Sequence, residues 1–208
     1  MMRRAIPALL VLAALAAPAA TARTAATTLA VAPTTIEFGK GGVLLSGVLA
    51  SKRAGVEVAI LSQPCRFTEP SAIATVRSTT GGAFRFRVQP MLNTTFRVRA
   101  EGTVSRAVNV RVRPVVTLQR LRAGRYRVVV STTNPVFLDG RPVLLQRVAG
   151  KRWVTVKRAL LAKASPETAI TVLSAATIAV KTTGKLRALV PATSGSCYLG
   201  ASSPTLAA

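Results

Sequence analysis

The sequence predicts an all-β protein, built as two β-sandwiches in tandem behind a cleaved leader. Three observations carry that reading. The first is a period of two. Phe84-Arg85-Phe86-Arg87-Val88, Phe96-Arg97-Val98-Arg99-Ala100 and Val110-Arg111-Val112-Arg113 alternate apolar and charged residues, and Tyr126-Arg127-Val128 repeats the pattern later. Successive side chains of a strand point to opposite faces, so each run sets apolar groups on one side and guanidinium groups on the other. Such runs suit antiparallel strands with one wet face. The second is punctuation: Gly41-Gly42, Ala54-Gly55, Gly81-Gly82, Glu101-Gly102, Ala123-Gly124, Asp139-Gly140 and Ala149-Gly150 break the chain into short segments. Many short strands between closely spaced turns read as a sandwich or barrel. The third is the lack of any amphipathic run at helical spacing.

The elements follow in chain order. Arg3 and Arg4 precede an apolar stretch at 5–17, and Ala20-Thr21-Ala22 has the small-x-small form of a signal-peptidase site. The apolar stretch is too short for a stable membrane anchor, so residues 1–22 read as a signal peptide. Ala5-Ile6-Pro7 does not extend a twin-arginine pattern, which favours the general secretory route. Residues 23–33 read as a flexible N-terminal segment. The first sandwich occupies 34–113, with strands expected at 35–38, 43–49, 56–61, 73–78, 83–88, 95–100 and 107–112. The second occupies 114–204, with strands expected at 115–120, 125–131, 142–148, 153–158, 168–173, 184–190 and 199–201. Residues 205–208 are left as a tail. Each half falls at roughly 80–95 residues, enough for a sandwich core. The joint is Arg113-Pro114, and a proline there makes it stiff.

The halves also echo each other. Gly55-Val56-Glu57-Val58-Ala59-Ile60-Leu61 aligns with Gly140-Arg141-Pro142-Val143-Leu144-Leu145-Gln146. Thr95-Phe96-Arg97-Val98-Arg99-Ala100 aligns with Gly184-Lys185-Leu186-Arg187-Ala188-Leu189-Val190.

Together with Val43-Leu44-Leu45-Ser46-Gly47, the hairpin Gly82-Ala83-Phe84-Arg85-Phe86, the strand entry Asn93 to Val98 and Trp153-Val154-Thr155-Val156-Lys157, these segments resemble the tandem immunoglobulin-like domains of secreted bacterial proteins. The resemblance covers most of 34–204, and its motifs mark hairpins and core positions. It implies a β-sandwich used as a spacer or adhesive module at the cell surface. The chain departs from antibody-type domains in having neither an intradomain cysteine pair nor a tryptophan on the third strand of either half.

The residue inventory bears on chemistry. Histidine is absent, which removes Ser-His-Asp and Cys-His catalysis and the usual zinc sites. The six acids, Glu37, Glu57, Glu69, Glu101, Asp139 and Glu167, are scattered, whereas a glycosidase needs two facing one cleft. Calcium-stiffened arrays need clustered acids at the joint, and here the joint is Arg111-Val112-Arg113-Pro114. No nucleotide-binding loop or Ser-x-x-Lys pattern occurs. The chain is therefore expected to have no catalytic residue, no cofactor and no metal.

Cys65 and Cys197 are the only cysteines. Export permits a disulfide, and the pair falls in different halves. An interdomain bond, two free thiols and intermolecular pairing all stay open.

The net charge is +23. If the sandwich places the Arg97/Arg99 strand beside the Arg111/Arg113 strand, those four side chains form a candidate polyanion-binding ladder for an anionic wall polymer, an acidic polysaccharide or nucleic acid. The plainer reading is that outward strand positions must be polar and that a basic surface keeps the protein soluble. Nucleic acid is disfavoured as a specific ligand, because single-strand binding wants several exposed stacking rings. Trp153, flanked by Lys151, Arg152 and Lys157, is the one aromatic candidate, and it reads as core or rim packing. Asn93-Thr94-Thr95 matches a glycosylation pattern but reads as a turn into the next strand. The expected setting is secreted, with no transmembrane anchor. The expected partners are anionic cell-envelope polymers or another surface protein.

Overall fold

The computed structural model describes residues 26–208 apart from 123, 165–167 and 194. The leader expected at 1–22 lies outside the described residues. The strands run in order β1 (Ala30–Ala32), β2 (Thr35–Glu37), β3 (Val43–Val48), β4 (Glu57–Pro64), β5 (Ser71–Arg77), β6 (Ala83–Val88), β7 (Thr94–Ala100), β8 (Thr103–Val104), β9 (Val108–Arg113), β10 (Val115–Arg122), β11 (Arg125–Thr133), β12 (Pro142–Ala149), β13 (Arg152–Leu160), β14 (Ala162–Ala164), β15 (Thr171–Ala179), β16 (Lys185–Val190), β17 (Ala201–Ser202) and β18 (Leu206–Ala207).

In the first half, the sheet β1-β3-β6 stands opposite β2-β9-β7-β4-β5, and β8 also pairs with β7. In the second half, β10-β11-β15-β14 stands opposite β13-β12-β16-β17, with β18 added to β16. Lettered in chain order, the second half is A-B-E-D against C-F-G with one more strand beside C. The first half is A-B-E against G-F-C with the same extra strand. That order is the immunoglobulin-like sandwich. β2 joins β9 in parallel, while the other pairs are antiparallel. β1 and β2 belong to opposite sheets, with a cis Ala32–Pro33 bond between them.

The period of two explains the layers. In β7, Phe96, Val98 and Ala100 are buried while Arg97 and Arg99 face out. In β11, Tyr126, Val128 and Val130 are buried, and in β16 Leu186, Ala188 and Val190. The inward residues form two apolar clusters, one around Leu45, Ile60, Phe84 and Phe96, the other around Tyr126, Leu145, Ile178 and Leu186.

The echo between the halves is three-dimensional. The pairing of β4 with β5 shifts between Ile60 and Leu61, leaving Ile73 as a bulge on the edge strand. The pairing of β12 with β13 shifts between Leu145 and Gln146, leaving Val156 as its counterpart. Bulges of this kind re-aim an edge and discourage pairing with other chains. A serine motif repeats as well. Ser105 Oγ accepts from the Val98 N–H and donates to the Arg106 carbonyl, and Ser203 Oγ accepts from the Ala188 N–H and donates to the Pro204 carbonyl.

Three expectations need correction. The segment 23–33, read as flexible, supplies β1, whose Ala30–Ala32 pair with Ser46, Leu45 and Leu44. The tail at 205–208 supplies β18, paired with Lys185 and Leu186. The strand expected at 168–173 is β15, Thr171–Ala179. Its Ser174-Ala175-Ala176 core has weak strand propensity, but nine pairs to β11 template it, and small side chains fit where Ser174 Oγ accepts from the Leu138 N–H.

Candidate functional site

The four arginines do not form a ladder. β7 and β9 pair Thr94 with Val110, Thr95 with Asn109 and Phe96 with Val108. Because the strands are antiparallel, Arg97 and Arg111 leave this short ladder in opposite directions. They share the outer face but lie about 13 Å apart along it, at about 3.3 Å per residue, and Arg99 and Arg113 are farther apart still. Arg111 and Arg113 instead stand beside Thr35 and Glu37 of β2, whereas Arg97 and Arg99 stand beside Leu61 and Ala59 of β4. The sequence shows which face an arginine takes but not the register that sets its neighbours.

Between the separated arginines lies a row of neutral polar side chains. Gln63, Thr95 and Asn109 are cross-strand neighbours on β4, β7 and β9. Thr95 Oγ1 donates to Asn109 Oδ1 at 2.8 Å, and Arg97 donates to Gln63 Oε1 at 3.5 Å. They floor an open groove of about 470 Å³, with Phe67 as one wall and Arg111 at one end. Phe67 is 64% exposed. Its loop is held from below: Gln63 Nε2 donates to the Phe67 and Thr68 carbonyls, and the Phe67 N–H donates to the Pro64 carbonyl. The sequence alone did not single out Gln63, Phe67 or Asn109. The signal available was polar residues at outward phases of three strands, which becomes a row only once the register is known.

Next to the groove, the second half is clasped to the first. Cys65 and Cys197 are bonded, with their Cα atoms 5.3 Å apart, so the structure has the intramolecular bond among the pairings left open above. Asn93, read as a turn residue, is the hub of the clasp. Its N–H donates to the Cys197 carbonyl, its carbonyl accepts from the Cys65 N–H, its Oδ1 accepts from the Val112 N–H and its Nδ2 donates to the Ser196 carbonyl. The Leu199 N–H donates to the Val112 carbonyl. Tyr198 is buried in the first apolar cluster, edge-on to Phe38 with ring centroids 6.4 Å apart, and its hydroxyl accepts from the Thr133 N–H at 2.7 Å. Burial pushes the Tyr198 phenol from 10.0 up to about 12, the Thr133 N–H bond offsetting part of the rise.

Asn93→Ala removes both side-chain bonds and leaves the Val112 N–H without its acceptor. The expected cost is about 1–3 kcal/mol of unfolding free energy, read by guanidinium denaturation. An unchanged midpoint would mean the amide contributes nothing to the clasp.

On the equivalent face of the second half the arginine is held by its neighbours. Arg187 takes the place of Arg97; its Nε donates to Gln146 Oε1 at 2.9 Å, and its guanidinium lies 4.3 Å from the Trp153 ring centroid. Trp153 is thus packed at the rim, its ring covered by a cation.

Of the acids, Glu37 pairs with Lys40 at 3.0 Å, Glu101 with Arg53 at 3.8 Å and Glu57 with Arg77 at 3.3 Å, three separate surface pairs. Among the described residues, no group of three or more His, Cys, Asp or Glu is placed to hold a metal ion, and no helix is long and apolar enough to cross a membrane.

No family model and no curated protein matches the chain. Among solved structures it is similar to bovine butyrophilin, at 12% identity and a TM-score of 0.37, over 84% of this chain and 93% of that one. It is also similar to red sea bream transglutaminase, at 14% identity and a TM-score of 0.33, over 89% of this chain but 31% of the enzyme. Likeness at this level carries no argument about activity, and the all-β, immunoglobulin-like class rests on the strand order itself.

Proposed function

We propose that the chain is a non-catalytic module exported to the cell envelope, where its two sandwiches work as one stiff spacer or adhesive unit. The observation that supports this reading is the clasp: a disulfide, a hub asparagine and a buried tyrosine tie the second half to the first. A joint built from such contacts resists bending, which suits a part that holds a surface at a fixed place. The disulfide accords with an oxidising compartment. A second reading, binding of anionic polymers, is favoured by charge. Lys and Arg number 29 against six acids, and three of those acids are already paired. Any polyanion close to this surface meets a strongly positive field.

Incubating the exported chain with a purified cell-envelope fraction at low and high salt tests both. Retention is expected at low salt, falling by about tenfold or more as salt shortens the screening length from about 30 Å at 0.01 M to about 3 Å at 1 M. Retention that withstands salt would leave the adhesive reading and remove the polyanion one. No retention at either salt would overturn both.

A further inference from the structure

We infer that the groove of the first sandwich is a binding site for an anionic polysaccharide, the Gln63–Thr95–Asn109 row taking its hydroxyls and Arg97 and Arg111 its anionic groups. This rests on the polymer-binding reading above and names the ligand for it.

Four features of the groove converge on that chemistry. The row crosses three strands, spanning about 9–10 Å at the usual strand spacing, a length comparable to two sugar rings. Gln63 Nε2 is spent on the Phe67 and Thr68 carbonyls and the Thr95 hydroxyl hydrogen on Asn109, so Gln63 Oε1 and Thr95 Oγ1 keep lone pairs that can accept from ring hydroxyls. The Thr95 bond commits Asn109 Oδ1 and leaves Nδ2 as an outward donor. One guanidinium stands on each side of the row, so a polymer with a fixed anion on its sugar units meets a cation at either flank. Phe67 gives an apolar wall for the C–H face of a ring, and its loop is pinned at Cys65 and by Gln63, so binding has only the side chain and not the backbone to order.

The second half supplies an internal contrast. There the equivalent arginine, Arg187, is already occupied by Gln146 at 2.9 Å and by Trp153, whereas Arg97 holds Gln63 only at 3.5 Å. Two copies of one fold have thus kept the arginine and differ in how firmly its guanidinium is held, Arg97 standing loosely on Gln63 at the flank of the groove. A single exposed ring with a hydrogen-bonding row favours a sugar polymer over single-stranded nucleic acid, which calls for successive stacking rings.

The test measures binding of the whole exported chain to polygalacturonate, to phosphomannan, to neutral dextran and to single-stranded DNA at matched salt. Binding to either anionic polymer above dextran and DNA is expected, and the tighter of the two tells whether carboxylate or phosphate is the anion. Phe67→Ala and Asn109→Ala, both at exposed positions, should each weaken binding by about tenfold, as should Arg97→Gln/Arg111→Gln, which should also flatten the salt dependence. Arg85→Gln/Arg87→Gln removes the same charge from β6 in the opposite sheet and should leave affinity within about threefold. Equal losses from both arginine pairs, with no effect of Phe67→Ala or Asn109→Ala, would overturn the groove and leave general polyanion binding standing. Tighter binding to DNA than to either polymer would overturn the sugar assignment. No binding to either polymer would overturn the groove and the reading beneath it together.

Discussion

Replacing both cysteines, in Cys65→Ser/Cys197→Ser, should lower the stability of the chain by up to about 5 kcal/mol and split its unfolding into two transitions. The bond closes a loop of sequence separation 132. In the chain-entropy picture, cross-linking a loop that long removes enough freedom from the unfolded ensemble to stabilise the fold by about 5 kcal/mol. The loop contains the joint, all of β10 to β16, nearly all of the second apolar cluster and part of the first. With the bond in place, the junction groups stay close together even when one half opens and the contacts re-form readily, so a single cooperative transition is expected. Without it, the clasp depends on Asn93, Tyr198 and the Leu199–Val112 bond, and the sandwiches should melt separately. Guanidinium titrations followed by far-ultraviolet circular dichroism would show this directly. Coincident curves for the oxidised chain and the serine variant would mean that the hydrogen bonds alone hold the joint.

How far this arrangement is legible in the sequence depends on the kind of contact. Alternation in 84–88, 96–100 and 110–113 marks the strands and their buried faces, because burial on one face enforces a period of two. The weak echo between 55–61 and 140–146 corresponds to equivalent strands with equivalent bulges. What alternation cannot show is register. The register between β7 and β9 decides whether Arg97 stands beside Arg111 or about four residues along the sheet from it, and only the paired backbone settles it. The strand expected at 168–173 misses most of β15 for a different reason, since Ser174, Ala175 and Ala176 are selected by the space against β11 and not by propensity. The clasp was least legible. Asn93, Cys197 and Tyr198 lie in turn-like stretches, and their roles come from contacts across more than a hundred residues. The groove follows the same rule: its row is assembled from three strands and its wall from a loop, and nothing local announces it.

Tyr198 should make stability fall at alkaline pH, and its removal should be among the most damaging single changes. The ring fills the junction beside Phe38 while its hydroxyl accepts from the Thr133 N–H, so it touches both halves at once. Truncation by Tyr198→Ala opens a cavity in the first apolar cluster and strands the Thr133 N–H, at an expected cost of about 3–5 kcal/mol. Tyr198→Phe keeps the ring and loses only the acceptor, at about 1–3 kcal/mol. The pH effect has a definite sign. Burial raises the folded phenol from 10.0 to about 12, so between those values the unfolded chain releases the proton while the folded chain still holds it. The folded state then binds more protons than the unfolded state, and stability drops as pH rises. The contribution is complete below pH 10 and is lost as pH climbs through about 12. A shift of that size corresponds to about 2–3 kcal/mol. Lysines and Tyr126 are common to the parent and to Tyr198→Phe, so the difference in unfolding free energy between the two proteins isolates the one phenol. That difference should be flat from neutral pH to about 10 and should shrink above it. A difference that stays constant through pH 12 would place the Tyr198 hydroxyl in contact with water and would remove it from the set of groups that hold the joint.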